Sequence, residues 1–426
     1  MHDIKLIKKN PENFDDSLKK RNLNPCSSQV IGLHDQYLNY LNEKQSLQET
    51  KNSLSKQFSN KNENKDEIKA NVLKIKKKID NLTLLAEKKN YELERILLNL
   101  PNILSEETPV GKSEDDNVIV KDSEKIHPFT FKPKNHLEIA EKFNLIDYDS
   151  AIKLSGSRFS ILKNDLAIIH RALINFMLDN NTREFNFKEC VVPELVKPSS
   201  LEGTGQLPKF DDDLFKTNFN DLYLIPTSEV PLTNLHRESI INLKELPIKY
   251  TAFSNCFRAE AGASGKDTKG LIREHQFGKV ELVTFSEPSN SRKELDRMIA
   301  CVESIIKKLN LPFRVVKLCS GDIGFSSSLT FDFEIWMPGQ NKFREVSSCS
   351  NCTDFQSRRM KTRVKDFETG EIYFPHTLNG SSLAVGRLLI AILENFQQED
   401  CSVEIPGVLT KYTNGLTKIS NDDKKN

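Results

Sequence analysis

Apolar residues near the start of the chain recur at alternating intervals of four and three. Leu33, Tyr37, Tyr40, Leu47, Leu54 and Phe58 keep this rhythm between residues 28 and 59, with Lys44 and Lys51 at two of its slots. A second run holds the same spacing through Ile68, Val72, Ile75, Ile79, Leu82, Ala86, Leu93, Ile96 and Leu100, and Lys89 is its one polar interruption. A heptad stripe is narrow and seals best against another helix carrying the same stripe. The segment SNKNENKD between the runs supplies turn-forming polar residues. The pattern predicts a long antiparallel coiled-coil hairpin, each helix about 50 Å long at 1.5 Å per residue. A shorter helix is expected ahead of it over NPENFDDSLKKRN.

Leu100-Pro101-Asn102-Ile103 closes the hairpin, and the polar stretch up to Glu114-Asp115-Asp116 reads as a linker. The rhythm then changes. Residues 161–180 suit an amphipathic helix, and FKECVVPEL suits a strand ending at Pro193. AFSNCFRAE and QFGKVELVTF read as two strands joined by a long, glycine-rich tip. FRVVKLC and TFDFEIW are further strands, and SSLAVGRLLIAILENFQ reads as a closing helix. No crossover helices space the strands regularly, and neither a P-loop nor a G-x-G-x-x-G follows a strand. The fold class is therefore α+β: a helical-hairpin domain over 1–105, and over 106–426 an antiparallel sheet flanked by helices.

Charge changes little in this picture. Lys+Arg 61 against Asp+Glu 60 leaves a net charge of +1, so any nucleic-acid surface must be local. The local candidate is Lys74, Lys76, Lys77 and Lys78 on the second helix, with Lys61, Lys65 and Lys69 nearer the tip. A charge run on an exposed helix is more often a solvated face. Eight scattered cysteines, a start without an apolar signal core and no membrane-length apolar run point to a reducing, cytoplasmic setting with free thiols. Cys349 and Cys352 have C-x-x-C spacing, but no second such pair accompanies them, so zinc is not expected.

The chemistry concentrates in FRAEAGASGKDTKGLIREHQFGKVE, residues 257–281. An arginine can grip a phosphate with two parallel hydrogen bonds, a carboxylate can accept from an exocyclic amine, and a phenyl ring can stack on a base. That set suits a nucleotide. Together with HDIKLIKKNPE, GTGQLPKF, PTSE, CSGDIGFSSSLTFDFEIWMPGQ, FREVSSCSNCTDFQSRR and TLNGSSLAVGR, in this order, the segment resembles the bacterial-type seryl-tRNA synthetases, members of the class II aminoacyl-tRNA synthetases. Each motif alone is weak, while the ordered set is specific and spans nearly the whole chain.

The resemblance implies a homodimer with a class II sheet of six to seven antiparallel strands, motif 1 around 163–193, motif 2 around 253–285 and motif 3 around 377–397. It implies activation of L-serine by ATP with Mg²⁺, then transfer to tRNA(Ser), and to tRNA(Sec) where that tRNA exists. By the same resemblance Arg258, Arg387 and Glu345 are the catalytic candidates. Thr227, Ser228, Glu229, Arg258, Glu281, Asn379 and Ser381 would bind serine. Arg258, Ala259, Glu260, Phe277, Glu345, Val346, Ser347, Ser348 and Arg387 would bind ATP, and Glu345 and Ser348 would hold the metal. The arm and the motif 2 loop, with Lys266 and Lys269, would meet tRNA. Glu274 departs from the pattern, which has an apolar or neutral residue beside adenine. Two rival readings are a non-catalytic paralogue that binds RNA and an enzyme that loads another small amino acid onto a carrier. The retained Arg258, Arg387 and Glu345 weigh against the first, and the arm against the second. The tail after Tyr412 reads as frayed.

Overall fold

The heptad stripes become helices at the places where their spacing predicts. The computed structural model describes residues 1–57, 65–122, 126, 128–262 and 270–420, divided into two compact units, Met1–Ile103 and Leu104–Asn426. In the first unit α1 (Ser27–Gln57) and α2 (Lys65–Asn99) pack along each other as an antiparallel pair. Leu33, Tyr37, Tyr40, Lys44, Leu47, Lys51 and Leu54 are each half-buried, with most of their neighbours beyond His34 exposed, and Ile68, Leu82, Ala86 and Leu93 are buried. Lys44 and Lys51 are half-buried like the apolar residues of the stripe, and long cationic side chains can occupy such slots by covering their aliphatic stems while the ammonium stays in water. At the base, Ile7, Phe14 and Leu18 from the short helices Ile4–Lys9 and Pro11–Lys20 pack on Val30, Leu93 and Leu97. Asp15 anchors the start of α1, accepting hydrogen bonds from the amides of Cys26 (3.0 Å) and Ser27 (2.9 Å) and from the Ser27 hydroxyl. Phe58, Lys61, the turn over 59–64 and the side chain of Lys65 lie outside the described residues.

The second unit is built on one sheet. Its strands in chain order are β1 (Val118–Asp122), β2 (Lys188–Glu189), β3 (Ile248–Phe257), β4 (Gln276–Ser286), β5 (Phe313–Lys317), β6 (Leu329–Met337), β7 (Lys342–Asn351) and β8 (His376–Ala384). They lie in the order β1-β5-β6-β7-β8-β4-β3-β2. Every neighbouring pair is antiparallel except β2 with β3, which is parallel.

Three helices, α3 (Asn164–Arg183), α4 (Ser291–Lys308) and α5 (Val385–Asn395), cover one face of this sheet. Leu166, Leu173, Met298, Val302, Leu388 and Ile392 meet Val280, Leu282, Phe333, Ile335 and Leu378 in a single core. Side chains alternate across a strand. The positions between those apolar ones, such as Lys279, Glu281, Asp332 and Glu334, therefore point to the opposite face. The alternation that builds the core also places polar groups where a ligand can reach them.

Five expectations need correction. The tail after Tyr412 is not frayed as far as Ser420: Lys418–Ile419 pair with Val403–Glu404 and Ile419 is in the core, while residues 421–426 lie outside the described residues. The sheet has eight strands rather than six or seven, because β1 and the two-residue β2 extend its edges. The strand read as ending at Pro193 is strand only at Lys188–Glu189, and Leu195 opens a separate two-residue strand paired with Tyr223–Leu224: Val191 is 96% exposed, with no core to face, and Pro193 has no amide to donate. Ser381–Ala384 are not helix. They pair with β4 as Ser381 opposite Glu281 and Ala384 opposite Lys279, and the helix begins at Val385. The stretch read as a linker is tied down: Ser105 N and Thr108 Oγ1 both donate to the Ser328 carbonyl, at 3.0 and 2.7 Å.

Candidate active site

The polar face of the sheet opens into a cavity of about 390 Å³. Eight of the residues singled out in the sequence line it: Thr227, Glu229, Arg258, Glu281, Glu345, Ser348, Asn379 and Ser381. A smaller cavity of about 100 Å³ adjoins it, sharing Arg258, Lys279, Glu345 and Ser381. Glu260, Phe277, Val346 and Arg387 line only this second one.

Strand register explains the placement. Phe277, Lys279 and Glu281 are alternate residues of β4 and share its polar face. On β7, Glu345 and Ser348 are three apart, a spacing that would put them on opposite faces of a regular strand. The register shifts between Glu345 and Ser347, so that Glu345 pairs with Glu334 and Ser348 with Asp332. This bulge turns the carboxylate and the hydroxyl to the same side.

The first cavity is dense in charge. Lys279 Nζ and Glu281 Oε2 are 2.6 Å apart and both side chains are almost fully buried. The Thr227 hydroxyl donates to Glu281 Oε2 at 3.0 Å and accepts from the Glu229 amide at 3.1 Å. Glu229 Oε1 accepts from Gln356 Nε2 at 2.7 Å and Asn379 Nδ2 at 2.9 Å. Burial, reinforced by the nearby Glu281 charge, pushes the Glu229 carboxyl up to about 7. The Gln356 bond and the cations Lys279 and Arg258 offset that only in part. Such a group is costly to fold and ready to accept a cation.

In the second cavity the Arg258 guanidinium lies 5.2 Å from the centre of the Phe277 ring, with Nε donating to the Pro226 carbonyl at 3.3 Å. Arg387, in the first turn of α5, donates to the Glu345 carbonyl at 2.8 Å and lies 3.2 Å from its carboxylate. Glu260 is ion-paired with Arg273. Arginine and ring together leave a slot that is cationic at one end and aromatic along one wall.

Ser228, Ala259 and Ser347 line neither cavity. Ser228 is buried against the Ser254 hydroxyl, Ala259 N donates to the Asp213 carbonyl at 2.9 Å, and the Ser347 hydroxyl donates to the Ser381 carbonyl. Lys266 and Lys269 lie outside the described residues. Two participants escaped the sequence reading. Lys279 carried a usable signal, its place between Phe277 and Glu281 in a period of two. Gln356 carried none, because its bond to Glu229 joins residues 127 apart. Glu274, the departure from the pattern, points inward to the second cavity and is buried. All eight cysteines are free.

An antiparallel sheet carrying an arginine at the end of one hairpin strand and a second arginine opening the last helix defines a class II aminoacyl-tRNA synthetase. Residues 209–396 match the tRNA synthetase class II core domain (G, H, P, S and T). A prolyl-tRNA synthetase from Giardia lamblia shares the fold, with a TM-score of 0.56 at 16% identity over 66% of this chain and 57% of that one. Residues 1–104 match the seryl-tRNA synthetase N-terminal domain. The serine–tRNA ligase of Brucella canis is 45% identical over 424 residues, which is 98% of this chain and 99% of that protein. The seryl-tRNA synthetase of Pyrococcus horikoshii, solved with ATP, has a TM-score of 0.93 at 38% identity and covers 98% and 99% of the two chains. The chain belongs to the seryl-tRNA synthetase family and has the activity that defines it, the ligation of serine to tRNA.

Proposed function

We propose that the first cavity holds serine and the phosphates of ATP, and that the second holds the adenine. The observation that carries this reading is the joint presence of Glu229, Glu281, Lys279 and Arg258 in one cavity, beside a second walled by Phe277. Serine brings an ammonium, a carboxylate and a hydroxyl. The half-buried Glu229 carboxyl receives the ammonium, and the Thr227–Glu281 pair receives the hydroxyl. An alanine would leave that pair without its partner, and buried polar groups left unpaired reject such an analogue strongly.

The serine carboxylate attacks the α-phosphorus, a carboxyl oxygen–phosphorus bond forms, and the bond to the β-phosphate oxygen breaks to release pyrophosphate. Arg258 faces the charge that grows on the α-phosphate, and Arg387, in the wall of the adenine cavity, meets the far end of a triphosphate that bends back toward the base. Fixed cations need no reorganisation as that charge develops. A hydroxyl of the terminal ribose of tRNA then takes the seryl group, and AMP leaves. No side chain is required as a covalent nucleophile.

Glu345 and Ser348 would hold Mg²⁺. Among the described residues no three acidic, histidine or cysteine side chains form a metal cage, which suits an ion that keeps waters and phosphates as ligands. Asp332, across the ladder from Ser348, has a buried Oδ1 with no hydrogen-bond partner, a donor such an ion would satisfy. When bound, the ion supplies positive charge to the phosphate oxygens.

The arm, with Lys74, Lys76, Lys77 and Lys78 exposed along α2, would meet tRNA(Ser), and tRNA(Sec) where it occurs, by shape and by its sugar–phosphate backbone. The motif 2 loop would meet the acceptor end. Residues 163–193 would form the interface of a cytoplasmic homodimer. No described helix is long and apolar enough to cross a membrane.

The test is serine-dependent ATP–pyrophosphate exchange, run against threonine, alanine, glycine and cysteine, with and without Mg²⁺. Exchange with serine alone, abolished without the metal, is expected. A folded protein that exchanges with none of the five would overturn the reading in favour of a non-catalytic paralogue, and preference for another amino acid would move it to the carrier-loading alternative.

A further inference from the structure

Three carboxyl groups line the second cavity, Glu260, Glu274 and Glu345. Glu345 is paired with Arg387. The other two are held differently. Glu260 is committed to Arg273 through its Oε2. Glu274 is 8% exposed, and its one hydrogen bond comes from the Ser160 hydroxyl to Oε1. Its Oε2 has no hydrogen-bond partner among the described residues. Gly386 lines the same cavity and has no side chain to cover that oxygen: a Cβ there would sit 3.2 Å from it.

The surrounding charges are engaged elsewhere. Arg273 pairs with Glu260, Lys279 with Glu281, and Arg387 with Glu345, while Arg258 lies over Phe277. From the helix Tyr148–Ser155, Tyr148 faces Glu274 with a buried hydroxyl that has no hydrogen-bond partner. With no cation to hold its charge, burial lifts the Glu274 carboxyl to about 7, and the Ser160 bond offsets this only in part. The group therefore changes between two hydrogen-bonding characters near neutral pH. Ionised, it only accepts. Protonated, it also donates.

A purine is where that difference counts. At its six position adenine offers an amine that donates, whereas hypoxanthine and guanine offer a carbonyl that accepts. We propose that Glu274 is a second base-reading residue, whose uncovered Oε2 meets the six position of the purine and selects an amino group over an oxo group. This rests on the reading that the second cavity takes the base of ATP. As a carboxylate, Glu274 accepts from the amine of ATP and repels the carbonyl of ITP. As an acid it can donate to that carbonyl, so selection against ITP weakens as pH falls.

The experiment measures serine-dependent pyrophosphate exchange with ATP and with ITP at pH 6.0 and pH 8.0, for the full-length protein and for Glu274→Gln and Glu274→Leu. Comparing kcat/KM for the two nucleotides cancels titration of serine and of groups that act on both alike. For the unaltered protein the ATP:ITP ratio is expected to rise roughly tenfold between the two pH values. In Glu274→Gln, whose amide can donate or accept, the ratio falls and loses its pH dependence. Glu274→Leu loses the pH dependence as well. A Glu274→Gln ratio that matches the unaltered protein at both pH values overturns the proposal while leaving the assignment of the cavity standing. So does an equal loss with both nucleotides, which marks a purely structural role. Absence of exchange in the unaltered protein with either nucleotide would instead bring down the reading beneath it. Should the leucine variant fail to fold, the glutamine variant and the unaltered pH profile still decide the matter.

Discussion

Glu229 offers a sharp test, because its contributions to folding and to function oppose each other. Its side chain is half-buried in the cavity wall, accepts from Gln356 and Asn379, and shares the cavity with Glu281. Burial raises it from an ordinary 4.5 to about 7. The folded protein therefore binds this proton more tightly than the unfolded chain does. The associated stability is complete below about pH 4.5 and is lost as pH climbs through 7. A gap of about 2.5 pH units at 1.36 kcal/mol each makes the loss about 3 kcal/mol at pH 8. Glu229→Gln keeps an oxygen to accept from Gln356 and Asn379 and removes the charge. It should therefore be more stable than the unaltered protein at pH 8, and its advantage should shrink by about 2 kcal/mol at pH 5.5. Urea unfolding followed by the fluorescence of the single tryptophan, Trp336, reads the unit that contains the substitution. The same variant should raise KM for serine roughly tenfold or more, the scale of a lost hydrogen bond to a charged group. An advantage that does not change with pH, or a variant less stable at pH 8, would refute the reasoning.

Other substitutions probe the remaining parts. Arg258→Lys should lower serine-dependent exchange on the order of 10²-fold with little change in thermal stability, since a point charge does not replace a planar fork; unchanged exchange would remove Arg258 from the reaction. Lys279→Met leaves Glu281 buried without its ion-pair partner, and should cost about 3–5 kcal/mol of stability at pH 7 in the same urea assay; a melt indistinguishable from the parent would contradict the geometry. Replacing Lys74, Lys76, Lys77 and Lys78 together by Ala should leave exchange intact, raise KM for tRNA and reduce the salt dependence of tRNA binding, by about 0.7–0.9 in log–log slope for each phosphate no longer neutralised. An unchanged slope would show that this face is only solvated.

The correspondence between sequence and structure is uneven for a physical reason. Heptads and strand alternation are local: each follows from the geometry of a single helix or strand, so α1, α2, β3 and β4 could be read directly, and so could the shared face of Phe277 and Glu281. Lys279 lies on that face by the same rule. The retained motifs also pointed to most of the cavity, since Thr227, Glu229, Arg258, Glu345 and Asn379 all reach it.

What the chain by itself determined was therefore the hairpin, the paired strands β3 and β4, the family and many of the side chains that line the two cavities. Tertiary structure decided the rest. The bulge that brings Glu345 and Ser348 to one side exists only in the pairing of β7 with β6. Ser381–Ala384 suit a helix until β4 offers them a ladder. Asn379 meets Glu229 across 150 residues, and Glu274 turns inward because Ser160, 114 residues away, holds it there. Register and burial are properties of elements against one another, and they fix both which polar groups meet and how strongly each holds its proton.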